Sequence, residues 1–97
     1  MFKKLDLILE RFNKLNELVS DADVISRIDE WKKYSKELSD ISETVEKYVE
    51  YKKVVKEIED LQELIPLESD AEMKDMMEQE VYACKDIKLR LQRLFLS

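Results

Sequence analysis

The acidic side chains that follow the only proline of this 97-residue sequence could hold a divalent cation. They are Glu68, Asp70, Glu72 and Asp75. A calcium-binding loop also needs a glycine at its sharp turn and a bidentate terminal glutamate, and the sequence contains no glycine. Carboxylates are favoured where a helix begins, because that end of a helix carries a partial positive charge. We therefore interpret the group as the charged start of a helix and predict no metal site.

The single cysteine, Cys84, could act as a nucleophile or as a thiolate ligand. The sequence has no histidine, which excludes a Cys–His or Ser–His pair and a histidine-ligated metal. The lack of glycine excludes a phosphate-cradling loop and a dinucleotide-binding turn. Cys84 falls among apolar residues at helical spacing, where a thiol usually packs as a small hydrophobe. We expect no catalytic residue, no cofactor and no small-molecule substrate in this chain.

Positive charge is concentrated near the start of one predicted helix. The residues are Arg27, Lys32, Lys33 and Lys36. The whole chain holds 17 basic and 23 acidic residues, and its net charge of −6 opposes binding along a nucleic-acid backbone. A local patch could still contact RNA within a ribonucleoprotein, although such a patch is more often a solvated helix face. We predict these four residues as the candidate contact surface, with the solvated face as the alternative.

Aromatic and methionine side chains also admit two interpretations. The aromatic residues could stack on bases, and the methionines could form an adaptable binding surface. At spacings of three and four, both sets are more typical of a helix core. We expect core or half-core positions for the following residues: Trp31, Tyr34, Tyr48, Tyr51, Met73, Met76 and Met77.

The elements that position these side chains follow from the apolar spacing. Apolar residues recur every three or four positions along three stretches, which predicts helices at about 3–19, 27–64 and 71–95. Late in the second stretch the predicted stripe runs through Tyr51, Val55 and Ile58, and the third stripe ends at Leu91 and Leu94.

The two breaks carry recognisable helix-ending and helix-starting residues. Residues 20–23 are rich in side chains that hydrogen-bond their own backbone, and Ser26 is the predicted cap of the second helix. Pro66 ends the second helix, and Ser69 opens the third in a capping-box pattern. The predicted fold is all-α: an antiparallel three-helix, coiled-coil-like arrangement with a long central helix flanked by two shorter helices. We assign residues 1–97 to one helical domain.

The sequence predicts a cytoplasmic protein without a membrane partner. A lone cysteine cannot form an internal disulfide and suits a reducing compartment. The opening residues, MFKKLDLILERF, lack the continuous apolar core of a signal peptide. No run approaches the ~20 apolar residues that span a bilayer.

Four short motifs occur along the chain in a recognisable order and spacing. They are LDLILERFNKLNELVSDADVIS at 5–26, YSKEL at 34–38, VEKYVEYK at 45–52 and DAEMKDM at 70–76. Together they resemble the N-terminal domain of the release factor 1 family of bacterial peptide chain release factors, which read UAA and UAG stop codons. The chain departs from the family at Ala22 and Ala71, which replace prolines, and at Glu43, where many members have a proline. Without these prolines we expect the turns to be less rigid but still present.

The resemblance implies a domain that projects from the body of a longer factor toward the stalk base of the large ribosomal subunit. Its implied partners there are protein and rRNA, and a translational GTPase that binds at the same place is a further one. The family's Gly-Gly-Gln loop, which triggers peptidyl-tRNA hydrolysis, and its codon-reading Pro-x-Thr-type tripeptide are absent from the sequence. We therefore expect a non-enzymatic, ribosome-binding arm for translation termination. The alternative is a stand-alone helical-hairpin scaffold or self-association module.

Overall fold

The computed structural model describes residues 2–96, and these residues form helices and turns with no strand among them. The four α-helices are α1 (Lys3–Val19), α2 (Ala22–Ser26), α3 (Ile28–Leu64) and α4 (Ala71–Leu96), and a 3-10 turn, Ile65–Leu67, follows α3. The all-α class and the long central helix with shorter flanking helices are confirmed, and the three predicted helices agree to within one residue. Met1 and Ser97, which the predicted domain includes, lie outside the described residues.

The described residues fall into two compact units, and the boundary between Lys47 and Tyr48 lies within α3. In the part of the chain that the structure covers, no helix combines the length and the apolar character needed to cross a membrane.

The junction between α1 and α3 contains a short helix that the sequence pattern did not predict. Asp21 starts α2, because its side-chain Oδ1 accepts a hydrogen bond from the backbone N–H of Asp23 at 2.8 Å. The prediction that Ser26 caps the second helix is wrong. Its hydroxyl instead donates to the carbonyl of Asp23 at 2.6 Å, within α2. One residue, Arg27, then separates α2 from α3.

In the first unit, α1 runs antiparallel to the N-terminal part of α3. Arg11 in the middle of α1 pairs with Glu37, while the carbonyl of Val19 at its end accepts a hydrogen bond from the Trp31 indole at 3.1 Å. Leu15 and Val24 are buried. The predicted half-core position of Trp31 is therefore confirmed, with its polar tip satisfied.

In the second unit, α4 runs antiparallel to the C-terminal part of α3. Buried side chains of the two helices form one apolar cluster, which consists of Val54, Ile58, Val81 and Cys84. Further along, the ring of Phe95 meets Tyr48 and Tyr51 edge-on at centroid distances of 5.9 and 5.6 Å. Gln92 donates to the Tyr51 hydroxyl at 3.2 Å. The predicted burial of Tyr48, Tyr51 and Cys84 is confirmed.

Two details of the predicted stripes are wrong. Between Tyr51 and Ile58 the buried valine is Val54, and the predicted Val55 is only half-buried. Residues three apart on a helix fall about 60° short of a full turn, so a run of three-residue steps rotates the stripe around the helix. On α4, Leu94 is exposed and Phe95 takes the contact instead, because Leu94 lies about 60° round the helix from the buried Leu91.

The predicted core position of the methionines is also wrong for two of the three. Met73 and Met76 expose 46% and 59% of their surface, and only Met77 is half-buried. Met73 lies in the first turn of α4, where α3 has already given way to the 3-10 turn Ile65–Leu67. Met76 lies about 90° round the helix from the centre of the stripe formed by the buried Val81, Cys84 and Leu91.

The helix ends on either side of Pro66 agree with the prediction except for the residue that caps α4. α3 ends at Leu64, before the proline, as predicted. Asp70 rather than Ser69 caps α4, because its Oδ2 accepts a hydrogen bond from the backbone N–H of Met73 at 3.0 Å. The carboxylate is a charged acceptor next to the positive end of the helix, which favours it over a hydroxyl one residue earlier.

Candidate functional site

The three lysines of the predicted contact surface lie on the exposed side of α3. Lys32 and Lys36 are one turn apart and share a face, and Lys33 lies about 100° round from Lys32. All three are exposed, whereas Trp31 and Tyr34, which point toward α1, are half-buried. We call Lys32, Lys33 and Lys36 the α3 lysine patch.

Arg27 precedes α3 and is engaged with a neighbouring acid. Its Nε donates to Glu30 Oε2 at 2.6 Å, and this hydrogen bond raises the pKa of the guanidinium above its usual value. Lys36 is likewise 3.0 Å from Asp40 Oδ2. Residues 27–40 contain four basic and four acidic side chains. This surface therefore offers individual ammonium groups to a partner rather than a strong positive field.

An ion pair between Arg11 of α1 and Glu37 of α3 lies next to the α3 lysine patch. Arg11 forms a two-pronged pair with Glu37, with Nε–Oε2 and Nη2–Oε1 distances of 2.5 and 2.9 Å. The hydrogen bond from Arg11 lowers the pKa of Glu37 below its usual value, because it favours the ionised carboxylate. The guanidinium also lies 6.0 Å from the ring centroid of Tyr34. Because Glu37 follows Lys36 directly, this partly exposed pair joins α1 to α3 next to the patch.

The acidic residues before and within the start of α4 act on the helix itself. Asp70 caps α4, and its own backbone N–H donates to Glu68 Oε1 at 3.1 Å. Their arrangement satisfies backbone donors at the start of a helix, as the sequence interpretation proposed.

The closest grouping of possible metal ligands within residues 2–96 was not predicted. One ligand atom each from Glu57, Glu80 and Cys84 lies within 4.8 Å of the others. The Cys84 thiol donates to Glu80 Oε1 at 3.6 Å. Burial, together with the negative charge of Glu57 and Glu80, raises the pKa of Cys84 to about 11. A buried thiol that keeps its proton at neutral pH is a poor nucleophile.

A second lysine-rich surface lies on α3 in the second unit and was missed in the sequence. Residues 47–56 contain four lysines and one glutamate, a stronger local excess than at 27–40. A count of charge in a sliding window along the sequence could have found it. Lys52, Lys53 and Lys56 line a groove of about 520 Å³ there.

Comparisons with known proteins match nearly the whole chain. The PCRF domain family model matches residues 8–96. Peptide chain release factor 1 of Macrococcus caseolyticus is 48% identical over 85 residues, which is 88% of this chain and 24% of that protein. The release factor 1 proteins of Staphylococcus epidermidis and Bacillus subtilis are each 41% identical, over 88% and 84% of this chain and 24% and 23% of theirs.

The matched part of those relatives is their N-terminal part, so this chain spans about a quarter of their length. No solved structure matches the chain significantly.

Proposed function

The chain belongs to the PCRF domain family, and on that premise we propose that it is the N-terminal, ribosome-contacting arm of a release factor that ends translation at UAA and UAG codons. The observation that carries the proposal is the extent of the match. It runs from residue 8 to residue 96 and thus includes most of α1 and all of α2 and α3. The relatives from Macrococcus caseolyticus, Staphylococcus epidermidis and Bacillus subtilis that match this stretch are named peptide chain release factor 1.

The arm acts by position and surface rather than by chemistry. The sequence provides no histidine and no glycine, and its one cysteine is buried with a raised pKa. We therefore propose that this chain is not an enzyme. In this account, peptidyl-tRNA hydrolysis and codon reading belong to other parts of such a factor.

The proposed partner is the stalk base of the large ribosomal subunit, with its protein and rRNA, in the cytoplasm. A translational GTPase acting at the same place is a further proposed partner. Lys32, Lys33, Lys36 and Arg27 are the proposed contact residues, because the three lysines are exposed together on one side of α3 and Arg27 immediately precedes that helix.

A domain exchange in a related factor tests this function. In release factor 1 of Bacillus subtilis, the segment similar to this chain is deleted in one variant and replaced by this chain in another. The deletion should weaken ribosome binding without changing stop-codon choice, and the replacement should restore binding. Unchanged ribosome affinity after the deletion would contradict the proposal.

A measurement of the free chain addresses the alternative. Light scattering should give the mass of a monomer. A stable oligomer at micromolar concentration, together with a replacement that fails to restore ribosome binding, would favour the self-association module instead.

A further inference from the structure

The outer face of α3 in the second unit carries a groove with a mixed apolar and basic lining. Its apolar part consists of Val49 and Leu64, together with Leu61, which is half-buried because it also packs against the core cluster. Its basic part consists of Lys52, Lys53 and Lys56. Residues two apart on an α-helix are separated by about 200°, so Val49 and Lys53 lie on the side opposite the buried Tyr51. The groove is therefore directed away from α4. We call it the outer groove.

The groove has the length of a helix-binding site. Val49 and Leu64 are fifteen positions apart, which corresponds to ~22 Å of helix, or about four turns. Leu64 exposes 52% of its surface, a large fraction for a leucine within a helix. Between these two ends, the apolar stems of the lysines line the groove and their ammonium groups stand at its edge.

The charge of the groove stands out against the rest of the molecule. The chain has a net charge of −6, yet four of its lysines fall within residues 47–56. Lys52 Nζ lies 5.2 Å from the ring centroid of Tyr48, and Lys56 Nζ lies 2.6 Å from Asp60 Oδ1. These contacts hold two of the ammonium groups in place along the groove.

Two features of the lining distinguish between an acidic protein helix and a nucleic acid. Val49 and Leu64 offer apolar contacts that a phosphate backbone cannot use. Glu57 and Asp60 also line the groove and would repel phosphates placed along its whole length. An amphipathic helix can place apolar side chains on Val49 and Leu64 and single carboxylates beside the lysines.

We propose that the outer groove binds an acidic amphipathic helix of a partner protein. The apolar stripe of that helix lies against Val49 and Leu64, and its flanking carboxylates pair with Lys52, Lys53 and Lys56. This interaction does not depend on the ribosomal role proposed above, since it uses a different unit and a different set of lysines.

The test measures binding of a designed probe to the whole 97-residue chain by fluorescence anisotropy. The probe is a labelled helical peptide of about 18 residues with leucines at i, i+3 and i+4 spacing and glutamates beside them. The variant K52Q/K53Q/K56Q should weaken binding about tenfold or more, and Leu64→Ala should weaken it several-fold without a change of charge. The matched control, K32Q/K33Q/K36Q, should change it by less than about twofold. Circular dichroism checks that each variant keeps its helices.

Several outcomes would overturn the proposal. An absence of peptide binding, or an equal loss with both lysine triples, would show that the groove has no selectivity for an acidic helix. A single-stranded RNA that binds with the same dependence on Lys52, Lys53 and Lys56, and that Leu64→Ala leaves unaffected, would make the groove a polyanion site. Dimerisation of the chain that K52Q/K53Q/K56Q abolishes would identify a second copy as the occupant.

Discussion

At the scale of single residues, several ion pairs within residues 2–96 join neighbours on one helix. Lys36 pairs with Asp40 and Lys56 with Asp60, each one turn along α3. Such pairs stabilise a helix slightly, and they are weakened by salt. The pair between Arg11 and Glu37 differs because it joins α1 to α3 with two hydrogen bonds. Most of these charged pairs therefore lie along the surface of a single helix, whereas the pair of Arg11 and Glu37 links α1 to α3.

The state of Cys84 gives a prediction at this scale. Because its pKa is raised to about 11, its thiolate fraction at pH 8 is about one in a thousand, and only 2% of the residue is exposed. Its reaction with a thiol reagent at pH 8 should be far slower in the folded chain than in guanidinium chloride. Equal rates in the two conditions would contradict the described burial.

The same thiol should make stability depend on pH in the alkaline range. A group whose pKa is higher in the folded state binds a proton more tightly there, so folding loses this contribution as pH rises from about 9 to about 11. Urea titrations of the chain and of Cys84→Ala at pH 8 and pH 11 measure it. The loss on going to high pH should be larger for the unsubstituted chain, and equal losses would show that Cys84 does not contribute.

The cap of α4 provides a third prediction. Asp70→Ala should lower the free energy of unfolding by about 1 kcal/mol, because the N–H of Met73 loses its acceptor. Ser69→Ala is the matched control and should have little effect. Urea unfolding followed by circular dichroism measures both, and a larger effect at Ser69 would restore the capping box that the sequence pattern predicted.

At the scale of elements, the bounds of the three long helices could be predicted to within one residue, whereas the buried face of each helix was predicted less accurately. Pro66 and the apolar periodicity fix where α3 ends and α4 begins, since both act through local backbone geometry. The short helix α2 escaped prediction because its five residues are too few to show a period. The exposure of Met73 and Met76 depends on where the neighbouring helix stops, which local spacing does not encode.

The same reasoning applies to the candidate sites. The α3 lysine patch could be located because its residues are close in sequence. The pairing of Arg27 with Glu30 and of Lys36 with Asp40 depends on side-chain rotamers, which sequence spacing does not fix. The lysine excess of the outer groove could be read from the sequence, but the face of α3 that stays open is decided by where α4 packs.

The packing of α1 gives a prediction at the scale of elements. Leu15 is 0% exposed, whereas Leu7 on the same helix is 64% exposed. Leu15→Ala should lower the free energy of unfolding by about 2–5 kcal/mol, and Leu7→Ala should leave it nearly unchanged. Chemical denaturation of the two variants makes the comparison. Similar losses at both positions would mean that α1 does not pack through the face described.

At the scale of the whole molecule, an acidic chain carries two local concentrations of lysine on one long helix. Its net charge of −6 disfavours general attraction to RNA, so any contact with a ribosome must depend on a few defined side chains. The family match and the identity to release factor 1 relatives indicate which large partner to test first. If a few lysines make the contact, the binding affinity should depend only weakly on salt concentration, and substitution of those lysines should remove that dependence.

The central claim is that the chain contacts the ribosome through the first unit, and binding to purified large ribosomal subunits at several salt concentrations tests it most directly. The chain should bind, and K32E/K33E/K36E should lower the affinity and flatten its dependence on salt. The control K3E/K4E/K14E reverses three exposed lysines of α1 and should retain most of the binding. If the chain does not bind, or if both variants lose affinity equally, the proposed contact surface is contradicted.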